Sequence, residues 1–215
     1  MKALILIPSC ARDRIKPTVF AGDGLPARPP VRDGQRELLR GTDYRYFLGV
    51  GNSDPADDEV ILPVRDDYWA LPQKVRAAFR WALEQTNADG TFTYSHVFKC
   101  DRDSFIHADR LLAHYQEILA QGLDYVGLVG NPGDCCGGGA GYWLSRKAMQ
   151  TYLDNYDERQ LNLTPHQQLE DWCLFWVLDR ASPRISPVCD RRYWDLRLGP
   201  IPDPATNITW NPWKP

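Results

Sequence analysis

Short apolar runs and longer stretches with helical spacing alternate along this chain. "ALILI" (3–7) is a continuous apolar run of five residues, the pattern of a strand buried on both faces. "YRYFLGV" (44–50), "EVILPV" (59–64), "YSHVFKC" (94–100) and "DYVGLVG" (124–130) read as further strands. Apolar residues at 71, 75, 78, 79, 82 and 83 recur with helical spacing and predict an amphipathic helix over 71–85, with Pro72 tolerated in its first turn. "ADRLLAHYQEILAQG" (108–122) predicts another, with Leu111, Leu112, Tyr115, Ile118 and Leu119 on one face and Gly122 as its stop. Ser145 is placed to cap a helix carrying Ala148, Met149, Tyr152 and Leu153. "TPHQ" (164–167) combines a capping box with proline at the first helical position, so a helix is expected to start at Pro165 and continue through "LEDWCLFWVL" (169–178). Residues 22–36, rich in Gly and Pro, are expected to form an irregular surface loop. From Arg180 onward the chain is expected to wrap the core without regular structure.

Strands alternating with helices imply an α/β fold with a mostly parallel central sheet flanked by helices. In such sheets ligands bind beyond the carboxyl ends of the strands. That edge is where the candidate chemistry has to be sought.

Composition narrows the options. With 43% hydrophobic and 25% charged residues the chain is an ordinary globular protein, and a net charge of −3 with no basic stripe gives no case for a nucleic-acid partner. The longest apolar run near the start is too short for a membrane span. Six cysteines form no C-x-x-C pair, and Cys100 and Cys173 lie in apolar runs as buried thiols, which fits a reducing cytoplasm. Eight Trp and ten Tyr are core material first, but they also offer flat faces on which sugars stack.

Three segments carry candidate chemistry. Asp101 and Asp103 follow the strand 94–100 and, if the segment stays extended, point the same way towards one ion. Hard cations such as Mn²⁺ or Mg²⁺ bind through one or two carboxylates plus substrate phosphates; the alternative is an acidic turn. "DCCGGGAGYWLS" (134–145) removes side chains at Gly137, Gly138, Gly139 and Gly141, either as the wall of a site or as a flexible connector. Glu170 and Asp171 are adjacent acids at the start of a strongly apolar helix. They either complement the helix N-terminus or serve as a general base.

The order of these segments resembles the beta-1,3-galactosyltransferase and Fringe-like group of GT-A glycosyltransferases. "DDYWALPQK" (66–74), "VFKCDRDSFIHADRLL" (97–112), "GGGAGYWLSRKAM" (137–149) and "LEDWCLFWVL" occur in the family's sequence of blocks, approximately D-x-Y-x-N-L-x-x-K, K-x-D-D-D-x-F-V-N, G-x-G-Y-x-L-S and E-D-V. The resemblance covers 66–178, and before it only a first strand followed by Ser9 and Arg12 matches. It implies a single Rossmann-like GT-A domain over 1–215. Residues 1–110 would form the nucleotide-binding half, 111–179 the acceptor and catalytic half, and 180–215 a C-terminal wrap.

It further implies a nucleotide-sugar donor, usually a UDP-sugar, a glycan acceptor, Mn²⁺ or Mg²⁺, and inversion at the anomeric carbon. By position Asp103 matches the principal metal ligand, and Asp101 the aspartate beside the ribose and metal. Asp171 matches the catalytic base, with Glu170 beside it. Ser9, Arg12, Asp67, Lys74 and Lys99 fall with Asp101 in the nucleotide-binding group, and Gly138, Gly139, Gly141 and Tyr142 in the wall near donor sugar and acceptor. There are departures: Arg102 replaces the middle aspartate, Ala70 an asparagine, and Trp172 a small apolar residue. The family's metal-binding histidine after Glu-Asp is missing, with Asp190 or Asp195 as substitute oxygen ligands or water filling the position. The family's membrane anchor and stem are not seen either. Two other readings stay open. One is a sugar nucleotidyltransferase, whose usual glycine- and lysine-rich loop is not matched by "IPSCARDRIKP" (7–17). The other is a sugar- or nucleotide-sugar-binding module without catalysis.

Overall fold

The computed structural model describes residues 2–10, 31–131, 133–161, 169–195, 203 and 205–211. The strands are β1 (Lys2–Pro8), β2 (Tyr44–Leu48), β3 (Glu59–Ile61), β4 (Tyr94–Lys99), β5 (Phe105–Ile106), β6 (Tyr125–Gly127), β7 (Tyr142–Ser145), β8 (Val188–Cys189), β9 (Tyr193–Asp195) and β10 (Thr209–Asn211). The helices are α1 (Val31–Leu38), α2 (Leu71–Glu84), α3 (Ala108–Gln121), α4 (Arg146–Asn155), α5 (Glu158–Leu161) and α6 (Glu170–Arg180), and a short 3₁₀ helix spans Tyr68–Ala70.

Among the described residues, seven strands form the main sheet in the order β3-β2-β1-β4-β7-β6-β8, and β5, β10 and β9 form a small second sheet. The pairs β3/β2, β2/β1, β1/β4 and β6/β8 are parallel. Only β7 runs against both of its neighbours. This is the mostly parallel α/β architecture that the alternating pattern predicts, and it is Rossmann-like as the family resemblance implies.

β1 is buried on both faces because successive side chains of a strand point to opposite sides. Leu4 and Leu6 pack with Val75 and Phe79 of α2, Met149 and Tyr152 of α4, and Cys173 and Leu174 of α6. Ala3, Ile5 and Ile7 face the other way, towards Leu111, Tyr115 and Ile118 of α3 with Tyr193 and Ile208. The sheet is therefore the middle layer. Cys100 and Cys173 are buried free thiols, as their apolar context predicts.

Helix ends follow their local chemistry. Ser145 caps α4, its hydroxyl accepting from the Ala148 amide at 3.1 Å. Gly122 ends α3 in the left-handed conformation at φ 63°, a region that costs a side chain. Pro72 sits in the first turn of α2, where its missing N–H has no intrahelical role.

Two expectations, the first and third below, are corrected, and one strand that was not predicted is found. Residues 31–36 belong to helix α1 and not to an irregular loop. Tertiary bonds hold it: the buried Gln35 donates to the Asp101 and Ser104 carbonyls at 3.3 Å and accepts from Tyr46 Oη at 3.1 Å. Second, "YWLS" after the glycines is strand β7, which local pattern hid because it is short and buried throughout. Third, the segment after Arg180 is not wholly irregular, since β8 joins the main sheet and β9 and β10 the small one. The helix start expected at Pro165 lies outside the described residues, and helix is described from Glu170. No helix among the described residues is long and apolar enough to cross a membrane.

Candidate active site

Strand directions bring the acidic segments to one edge. β1 and β4 are parallel with Leu6 opposite Lys99, and the Cys100 amide donates to the Leu6 carbonyl at 3.2 Å. Because β7 is antiparallel to β4, its first residue Tyr142 lies opposite Lys99, the last of β4. The glycine loop that leads into β7 therefore arrives where Asp101 leaves β4. Both lie at the carboxyl end of the parallel strands, where ligands of such sheets bind.

A buried ionic network occupies this edge. Lys99 is 1% exposed, and its Nζ lies 2.5 Å from Glu170 Oε1 and 3.0 Å from Asp101 Oδ1. It also donates to the Gly138 carbonyl at 3.4 Å. The second oxygen of Glu170 accepts from Tyr142 Oη at 2.8 Å. Burial alone would push the Lys99 ammonium towards neutrality, but Asp101 and Glu170 outweigh it and hold Lys99 above its ordinary range. Burial likewise pushes the Glu170 carboxyl up, with Lys99 opposing. Gly138 touches this network so closely that a Cβ there would collide with Glu170 Oε1 and come within 3.0 Å of Lys99 Nζ.

Asp171 stands beside Glu170 and is only partly buried. Its Oδ2 accepts from the Gly138 amide at 3.1 Å and its Oδ1 from the Trp172 amide at 2.9 Å. Two main-chain donors thus orient a carboxylate that still reaches solvent.

Of the nucleotide-binding residues expected from sequence, Ser9, Lys74 and Lys99 are buried, while the Asp67 and Asp101 side chains stay over a third exposed. Lys99 is committed as above. Lys74 is buried against Asp66, 2.6 Å from its Oδ1, and donates to the Ser9 carbonyl at 3.0 Å. Ser9 itself is 5% exposed. Asp67 caps the 3₁₀ helix through the Ala70 amide at 2.9 Å and pairs with Arg65 at 2.5 Å. Asp66 is the residue missed: it also accepts from the Gly49 amide at 2.8 Å and the Asn52 amide group at 2.9 Å. The signal was present, because an aspartate three residues before Ala70 reads as a cap and leaves its neighbour for Lys74. Arg12 lies outside the described residues.

The glycine wall is present as backbone more than as side chains. Tyr142 has no exposed surface, so its ring belongs to the core and not to an open sugar pocket. Gly141 is also buried, at φ 93°, and a Cβ there would strike the Phe98 ring. The Gly139 carbonyl accepts from Ser104 Oγ at 2.5 Å, tying the loop to the segment after β4.

That segment turns where extension was expected. The Ser104 amide donates to the Asp101 carbonyl at 3.1 Å, so strand alternation does not orient Asp101 and Asp103. Among the described residues no group of three or more His, Cys, Asp or Glu forms a metal-ligating cluster. The donor set is at most two hard carboxylates, and the Asp101 side chain is 39% exposed. This fits a Mn²⁺ or Mg²⁺ that takes its other ligands from phosphates and water. Asp190, one of the expected oxygen ligands, is already paired with other side chains. It is bound 3.1 Å from His114 Nε2 and 2.7 Å from Arg192, and these partners hold its carboxyl below the usual range although burial opposes them. For Asp195 only the backbone is described.

Next to Asp67, Tyr68 and Trp69 are 68% and 69% exposed. Their rings meet edge to face, with centroids 5.9 Å apart.

No protein-family model matches the chain, and no curated protein matches it either. Among solved structures it is similar to a glycosyltransferase involved in the glycosylation of the major capsid of PBCV-1. That likeness has 11% identity and a TM-score of 0.56, over 98% of this chain and 93% of that one. A CMP:2-keto-3-deoxy-manno-octonic acid synthetase complexed with CTP follows at 12% identity and TM-score 0.46, over 88% of this chain and 91% of that one, too loose a likeness to bear on the fold. The first likeness establishes that this chain has a GT-A-like α/β fold.

Proposed function

We propose that this chain is an inverting glycosyltransferase of the beta-1,3-galactosyltransferase and Fringe-like kind, moving a sugar from a UDP-sugar to a hydroxyl of a glycan. One observation carries the reading. Asp101, the glycine loop and Asp171, remote in sequence, meet at the carboxyl edge of the sheet through Lys99, Gly138 and Glu170. The structural likeness to a glycosyltransferase supports it through the fold.

In this reading Asp171 takes the proton of the acceptor hydroxyl. That oxygen forms the new bond to the anomeric carbon, while the bond to the departing diphosphate breaks on the opposite side. Asp101 and Asp103 are the residues that would hold Mn²⁺ or Mg²⁺, which supplies charge stabilisation to the diphosphate when bound. The backbone of Gly138 and Gly139 closes the site, and exposed Tyr68 and Trp69 offer ring faces to acceptor sugars. Apart from those two rings, the described residues up to about 110 would serve the nucleotide and those over 111–179 the acceptor and catalysis. Six free thiols fit a cytoplasmic setting.

The test is to incubate the protein with Mn²⁺, α-linked UDP-sugars and a glycan array, reading UDP release and product linkage by NMR. A β-linked product supports the proposal, and an α-linked one overturns inversion. Pyrophosphate release from a nucleoside triphosphate and a sugar phosphate, with no transfer to glycans, would replace it by nucleotidyl transfer. Binding without turnover of any donor would reduce the chain to a binding module.

A further inference from the structure

We infer that Lys99 and Glu170 are a positioning pair that fixes Asp101 and Asp171 relative to each other; the inference rests on the proposed transferase reading. Glu170 is thereby separated from the base role its position beside Asp171 implies. It is 5% exposed, with one oxygen on Lys99 and the other on Tyr142. Such a carboxylate has no open oxygen with which to meet an acceptor hydroxyl.

The connection runs through both main-chain groups of one residue. Lys99 holds Asp101 Oδ1 and the Gly138 carbonyl, and the Gly138 amide in turn holds Asp171 Oδ2. Lys99 also grips Glu170, the residue next to Asp171. One ammonium therefore ties the end of β4, the glycine loop and the start of α6 together. A side chain at 138 would occupy the place of this contact, which explains the glycine there.

A purely stabilising pair predicts something different. Replacing both members of a buried ion pair with uncharged residues is often neutral or favourable for stability, whereas removing one strands a buried charge. Stability alone therefore does not require these two charges. Holding two carboxylates in register does, because catalysis is sensitive to displacements of about 1 Å.

The experiment compares the wild type with Lys99→Met, Glu170→Gln and the double variant. The double variant removes both charges and keeps a side-chain oxygen for Tyr142. Urea midpoint, kcat, donor KM and amide hydrogen exchange are measured on each. Both single variants are expected to lose stability, with the double variant returning towards the wild type. In the double variant the Gly138 amide should exchange about tenfold faster, the loss of one net hydrogen bond, while the Gly122 amide at the end of α3 is unaffected. Its kcat should fall about 10²-fold with donor KM little changed. Wild-type exchange at Gly138, equal acceleration at Gly122, or wild-type kcat in the double variant each overturns the inference. If the wild type transfers no sugar at all, the function proposal fails by itself, and exchange at Gly138 still decides whether the pair positions the loop.

Discussion

The Gly138 amide donates to Asp171 Oδ2 at 3.1 Å, so a loop glycine, and not another side chain, aims the carboxylate proposed as base. Asp171→Asn keeps an oxygen for that bond and removes the proton acceptor. Transfer should fall by roughly 10²–10⁴, the effect of losing a general base, with donor binding retained. Stability should change by about 1 kcal/mol, the scale of one altered hydrogen bond. Transfer rate, UDP affinity and urea midpoint on one preparation check this, and full activity would remove Asp171 from the reaction.

Asp101 and Asp103 offer carboxylates but no third ligand gathers with them among the described residues, so metal and nucleotide should bind interdependently. UDP with Mn²⁺ is expected to raise the melting temperature well beyond UDP with chelator, because a ligand stabilises the state it binds. Asp103→Ala should remove the difference. Equal shifts under both conditions would exclude a metal bridge to the nucleotide.

Asp190 provides the pH dependence. Its folded-state pKa is lowered by His114 and Arg192, so the stability it contributes is present above the unfolded value, about 3.9, and is lost as pH falls through the lower folded value. Asp190→Asn should cost on the order of 2 kcal/mol at pH 7, the scale of hydrogen bonds to a charged group. The gap between variant and wild type should then narrow below about pH 4, where the unfolded-state aspartate protonates. Urea midpoints from pH 7 to pH 2 read this directly, and a gap that stays constant would contradict it.

Trp69 is the exposed ring with most to offer a sugar face. Trp69→Ala should cost no more than about 1.5 kcal/mol of stability, the upper scale of its edge-to-face contact with Tyr68. It should raise acceptor KM by roughly 2–10-fold, corresponding to about 0.5–1.5 kcal/mol of aromatic contact. An unchanged acceptor KM with altered donor KM would move the ring to the nucleotide side.

The strands and helices whose pattern is local were legible in the sequence. β1 announces itself by five apolar residues, and α2 and α3 by helical spacing that the structure reproduces to within a residue or two. α1 was not legible because its stability comes from Gln35 reaching Asp101, Ser104 and Tyr46, contacts between segments far apart in the chain. β7 was hidden for a related reason: four residues carry no period, and their strand state comes from pairing with β4 and β6. At the site, Lys99, Asp101, Gly138, Glu170 and Asp171 of the residues named from sequence come together, but which way they face was not legible. Lys74 and Lys99 fell in the nucleotide-binding group, yet each meets a carboxylate before it meets solvent. Burial is a property of the assembled sheet, and a linear motif does not contain it.

The reversal of β7 also divides the molecule's tolerance for modification. With Asp101, the glycine loop and Asp171 collected at one edge, the opposite edge carries connections of another kind. The Lys2 amide donates to the Thr93 carbonyl there at 2.8 Å, and Thr86 and Phe92 bridge the turn that feeds β4. Gly90, at φ 78°, has open space around it and stands at the tip of that turn. A cysteine-free tether or an inserted peptide at this tip would anchor the protein to a surface with its acidic edge facing outward, which makes the turn the natural handle for single-molecule or immobilised assays.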